Sequence, residues 1–84
     1  MTRVIPKHAR IINRRWALKD GEVAWVVMYD ATVPCRRRGE SKLVFGLAKY
    51  ISRGDEVMIL SRREYGEEEL SQLQDSFESA CATL

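Results

Sequence analysis

Asp20-Gly21 stands between two runs rich in Trp and Val, "RRWALK" and "EVAWVV", and this dipeptide constrains the fold more than any other feature of the chain. A two-residue hairpin of type I′ needs positive φ at both central positions, which Gly adopts at little cost and Asp tolerates. If these two residues are the whole loop, Lys19 faces Glu22, Leu18 faces Val23, Ala17 faces Ala24 and Trp16 faces Trp25. That register puts Ile12, Trp16, Leu18, Val23, Trp25, Val27 and Tyr29 on one face, with Arg14 the misfit. Ile11, Asn13, Arg15, Ala17, Ala24, Val26 and Met28 share the other. The first face carries the larger apolar groups and is predicted to be the core side, its two tryptophans packing there as a cross-strand pair. The alternative is an exposed aromatic platform on which bases stack.

Beyond the hairpin, "ATVPCRRRGE" has no period and contains Pro34 and Gly39, so it reads as a loop. In "SKLVFGLAKYIS" the residues Leu43, Val44, Leu47, Ala48 and Ile51 trace one helical stripe, with Ser41 able to cap its start and Gly54 to end it. A helix is predicted there, although Val44, Phe45, Tyr50 and Ile51 would equally suit a strand in an all-strand meander. "EVMILSR" reads as a strand, and four successive apolar residues, Val57 to Leu60, predict burial on both faces and a central place in the sheet. The last stretch spaces Leu70, Leu73, Phe77, Cys81 and Leu84 as an amphipathic helix, with Glu67, Glu68 and Glu69 at the positive end of its dipole. The expected fold is therefore a single α+β domain over residues 1–84. Its order is ββαβα: a three-stranded, mainly antiparallel sheet covered by two helices, with residues 1–8 a loosely held arm. So small a sheet leaves free edges, and a homodimer formed through one of them is a side expectation.

Charge is unevenly distributed along the chain. Residues 1–63 hold all 14 Lys and Arg against six acids, a balance of +8, whereas residues 64–84 hold six acids and no base. The 45% hydrophobic and 31% charged composition is that of a folded domain. No apolar run is long enough to span a membrane and none resembles a secretion signal, so the expectation is a cytoplasmic protein without a membrane partner, its Cys35 and Cys81 free thiols.

The candidate chemistry is thin. One histidine, His8, and two cysteines 46 positions apart lack the spacing of a zinc site, so no metal or cofactor is assigned. Arg36 to Arg38 beside Cys35 would favour a reactive thiol, but no nucleophile elbow, Walker A or dinucleotide motif accompanies it. No catalytic residue is assigned and the chain is read as non-enzymatic.

What remains is basic clusters: Arg14 and Arg15 on the first strand, Arg36, Arg37 and Arg38 in the loop, Lys42 just beyond, and Arg62 and Arg63 closing the third strand. Arginine's planar fork suits phosphate, and a helix starting at Ser41 would add backbone donors to the same anion site. The leading expectation is a binding domain that contacts nucleic acid, or a nucleic-acid-bound complex, through this Arg-rich face. The alternative is a small regulatory or inhibitory protein of the phage accessory type. It would bind a protein partner through a free sheet edge or through the acidic helix, with Glu67, Glu68, Glu69, Asp75 and Glu78 as its contact residues.

Overall fold

A computed structural model describes residues 5–35 and 39–84. Four strands follow one another as an antiparallel meander in the order β1-β2-β3-β4. They are β1 (Arg10–Lys19), β2 (Glu22–Pro34), β3 (Ser41–Arg53) and β4 (Glu56–Tyr65). A 3-10 turn at Glu67–Glu69 then leads into the one helix among the described residues, α1 (Leu70–Ala82).

The first hairpin has the register its dipeptide demands. Asp20 and Gly21 take φ of 50° and 80°, and Lys19, Leu18, Ala17 and Trp16 face Glu22, Val23, Ala24 and Trp25. A bulge at Ile12 shifts the far end, so that Ile11, not Ile12, pairs with Tyr29.

The expectation of three strands and two helices is overturned downstream. Ser41–Arg53 is a strand paired along its length with β2, so no helix N-terminus stands beside Lys42 to complete an anion site. The reason lies in its position. β3 is central, with Leu47 buried on one face and Val44 and Ala48 on the other. A strand whose side chains are buried on both faces has a near-continuous apolar sequence, and that run imitates a helical stripe.

The core side is also the reverse of the expected one. Val26 and Met28 of β2, Leu47 of β3 and Tyr65 of β4 form one buried cluster with Leu73, Phe77 and Ala80 of α1. The helix therefore covers the face opposite the tryptophans. Leu73, Phe77, Cys81 and Leu84 of the expected stripe face the sheet together with Ala80, while Leu70 is exposed, and the chain reaches across to the first hairpin, where Lys19 Nζ donates to the Thr83 carbonyl at 3.5 Å. A third correction concerns β4. It is an edge strand, and Val57 to Leu60, expected to be central and buried, are all exposed.

The uncovered face, called the open face below, has its own smaller cluster of Tyr29, Ala31, Val44 and Ala48. Ile5 and Ala9 pack against one end of it. Gly46 makes this cluster possible, because a Cβ there would lie 2.1 Å from Cζ of Tyr29, whose ring crosses directly over the β3 backbone.

Candidate nucleic-acid interface

The pairing registers fix what the open face displays. Trp16 of β1, Trp25 of β2, Tyr50 of β3 and Ile59 of β4 are mutual neighbours across the strands and form one transverse row. The Trp16 and Trp25 ring centroids are 6.2 Å apart with planes tilted by 39°, and Trp25 stacks on Tyr50 at 5.9 Å and 13°. Such separations fall in the favourable range for aromatic pairs. Trp25 is held in place by its indole N–H, which donates to Ser52 Oγ at 3.1 Å. Trp16, at the edge of the row, is 56% exposed.

The adjacent row, again read from the pairing, is Arg14, Val27, Ala48 and Arg62. Two arginines on the outer strands thus flank small central residues and border the aromatic row along its length. Arg62 is positioned by donating Nε–H to the Tyr29 hydroxyl at 3.1 Å and pairs loosely with Glu64 at 3.8 Å, its side chain 36% exposed. Among the described residues Arg14 makes no ion pair. Its charge opposes the effect of burial on Tyr50, where desolvation is the larger influence and raises the phenol pKa above its ordinary value. Lys42, exposed at the start of β3, lies on the same face further along.

The other candidate basic residues lie elsewhere. Arg15 is on the helix face, where its Nη1 donates to Asn13 Oδ1 and to the Arg14 carbonyl, both at 3.2 Å. It lies near Cys81, whose thiol pKa is raised chiefly by burial, with Arg15 acting against it. Arg63 is also on the helix face and holds its guanidinium 4.8 Å from the Tyr65 ring centroid. The basic patch is therefore divided between two faces of the sheet. Arg36, Arg37 and Arg38 lie outside the described residues; the chain leaves β2 at Pro34 and enters β3 at Ser41, with Cys35 N–H donating to the Glu40 carbonyl at 3.0 Å.

Of the acidic candidates, Glu67, Glu68, Asp75 and Glu78 are exposed on the helix side of the molecule, and Glu69 turns its carboxylate back to accept from the Gly66 amide at 3.3 Å. The acids of the helix thus lie on one side of the sheet together with Arg15 and Arg63, and Arg14, Arg62 and Lys42 lie on the other with Glu64 beside Arg62. Among the described residues no group of three or more His, Cys, Asp and Glu is placed to hold a metal, and no helix is long and apolar enough to cross a membrane. Cys35 and Cys81 are both free.

Sequence reasoning missed Tyr50 as a site residue and gave the platform second place. The Trp25 to Tyr50 neighbourhood follows only once β3 is paired with β2, and a helix at residues 42–51 hides it. Compared with protein-family models, curated proteins and solved structures, the chain matches none of them.

Proposed function

We propose that the protein is a non-enzymatic binding domain that holds single-stranded nucleic acid on its open face. The observation that carries this reading is the row Trp16, Trp25, Tyr50, left uncovered by the helix and bordered by Arg14 and Arg62. Aromatic side chains on an open sheet accept unstacked bases with little regard to sequence, while neighbouring arginines neutralise the phosphates that connect them. A single strand suits this geometry better than a duplex. The helix lies on the opposite side, so the open face offers no helix to a major groove, whereas splayed bases reach a flat platform directly. The acidic helix also repels a phosphate backbone from the wrong side, orienting the ligand towards the open face.

The test is binding of the purified protein to labelled single-stranded and duplex DNA and RNA at low and physiological salt, with Trp16→Ala and an Arg36→Ala/Arg37→Ala/Arg38→Ala variant alongside. Single-stranded binding that falls steeply with salt and is weakened by Trp16→Ala is the expected result. Stacking contributes about 1–3 kcal/mol per base, so the loss at Trp16 is about fivefold to 150-fold. The triple variant reports whether the loop shares the phosphate contacts. No binding at low salt would refute the proposal.

A further inference from the structure

β4 is an edge of the sheet, yet its central residues Val57, Met58, Ile59 and Leu60 are 42%, 58%, 38% and 53% exposed. Natural edges are usually blunted by charge, proline or shortness, because a row of free amides and carbonyls recruits other strands. β1, the opposite edge, is protected in this way: it carries Arg10, Arg14, Arg15 and Lys19 with no acid, so a second β1 beside it would set cation against cation. β4 lacks that protection. It has ten residues and no proline, with Glu56 at its start and Arg62, Arg63 and Glu64 beyond its apolar stretch, Arg62 loosely paired with Glu64 at 3.8 Å. Glu56 at one end and Arg63 towards the other are self-complementary when two such strands run antiparallel.

We infer that two copies of the chain pair through β4, joining their four-stranded sheets into one. The register follows from the bulge opposite Lys49 and Tyr50, which makes Leu60 the extra residue. The pairing of β4 with β3 puts Glu56, Met58, Ser61 and Arg63 on the helix face and Val57, Ile59 and Arg62 on the open face. Antiparallel partners must share a face, and a two-fold axis between Ile59 and Leu60 satisfies this on both sides of the bulge. Ile59 then meets Leu60 of the second copy, Met58 meets Ser61, Val57 meets Arg62, and Glu56 meets Arg63. The two bulges coincide at the axis and the ladder is regular beyond them. Sliding the copies by two residues sets Arg62 against Ile59 and Arg63 against Met58, and the ion pairs are lost. The axis stands perpendicular to the sheet, so both open faces look the same way. This inference stands independently of the nucleic-acid reading.

A single strand pair with its flanking side chains is at the small end of specific interfaces, so assembly depends on concentration. Sedimentation equilibrium of the full chain, without nucleic acid and from about micromolar to about millimolar protein, should show the mass rising from the chain's 9.7 kDa towards twice that value. Leu60→Glu, at an exposed position outside both core clusters, and Glu56→Arg should each move the midpoint at least about tenfold higher. Glu56→Arg combined with Arg63→Glu recreates the pair with its signs exchanged and should bring the midpoint back to within about threefold of the wild type. Trp16→Ala should leave it unchanged. A mass that stays at one chain throughout, a dimer indifferent to Leu60→Glu or lost with Trp16→Ala, or a double exchange that fails to restore pairing would each overturn the inference.

Discussion

Replacing Gly46 with alanine tests the packing on which the open face depends. An added Cβ would lie 2.1, 2.4 and 2.5 Å from Cζ, Oη and Cε1 of Tyr29. Ordinary contact begins near 3.4 Å, so the ring tip would have to retreat by more than about 1 Å. Tyr29 has no room to do so cheaply. It is fully buried, packed with Ala31, Val44 and Ala48, and its hydroxyl accepts the Arg62 hydrogen bond. Overpacking of this kind costs about 1–3 kcal/mol. Losing the Arg62 bond adds about 0.5–1.5 kcal/mol. The intrinsic advantage of Ala over Gly in a strand returns about 0.5–1 kcal/mol. The net is about 2 kcal/mol. With a urea dependence of about 1 kcal/mol per molar for a chain this small, the unfolding midpoint should fall by about 2 M. The same substitution made with Tyr29→Leu, which removes all three clashing atoms, should cost almost nothing, giving a coupling energy of about 1–3 kcal/mol. An equal cost in both backgrounds, or a midpoint shift below about 0.5 M in the first, would refute the reasoning.

Three further outcomes follow from the two faces. Phe77→Ala should cost about 3–5 kcal/mol because Phe77 is 3% exposed. Trp16→Ala, with less than half its side chain covered, should cost about 2 kcal/mol or less by buried area. Urea midpoints rank them, and equal losses would mean that the open face is a second core. Burial raises the Tyr50 pKa above its ordinary value near 10. As pH climbs from there to the raised value, the unfolded chain has lost a proton that the folded chain keeps, so stability falls with rising pH. Tyr50→Phe should remove that part of the decline in unfolding curves taken between about pH 9 and pH 11; identical pH profiles for variant and wild type would refute it. Finally, Arg14→Ala should reduce the slope of log K against log salt for single-stranded DNA by about one, while Arg15→Ala, on the opposite face, should leave it unchanged. Equal effects would place the phosphates somewhere other than the open face.

Local chemistry was legible in the sequence and tertiary choice was not. The Asp20-Gly21 turn needs only two backbone angles, and the register it sets is the one observed as far as the bulge at Ile12. The stripe of Leu73 and Phe77 was equally plain, because a helix with one buried face has an unambiguous period. β3 was misread for the opposite reason: Leu43, Val44, Leu47, Ala48 and Ile51 satisfy a helical stripe only because a central strand is apolar on both faces. β4 was misread by the same rule in reverse, since an apolar run implies burial without saying by what. Which face the helix covers could not be deduced from the hairpin. Trp16, Trp25 and Tyr29 outweigh Val26 and Met28 in size, yet the helix takes the smaller residues, and the site inherits the larger ones.

That choice has a geometric basis. A helix of 13 residues is about 20 Å long and about 10 Å wide. Four strands at about 4.8 Å spacing present a broader surface on each side. One helix can therefore cover part of one face and nothing of the other, whatever its sequence. β2 and β3 are nevertheless apolar on both sides, with Val27, Tyr29, Val44 and Ala48 buried on the open face, and Trp16, Leu18, Val57 and Ile59 leave apolar surface exposed along both edges. On the proposed reading this exposed apolar surface serves as a contact site. The open face and the β4 edge divide it into two kinds of contact. On the face, aromatic rings lie beside arginines, a combination suited to bases and phosphates. At the edge, aliphatic residues lie between Glu56 and Arg63 on free backbone, a combination suited to a second strand of the same sequence. The two uses are compatible, because pairing through β4 leaves the aromatic row uncovered and sets two such rows side by side on one surface. A strand of nucleic acid crossing both would meet twice the arginines at fixed spacing, so on this reading affinity should rise more steeply than linearly as an oligonucleotide lengthens past what one row can hold.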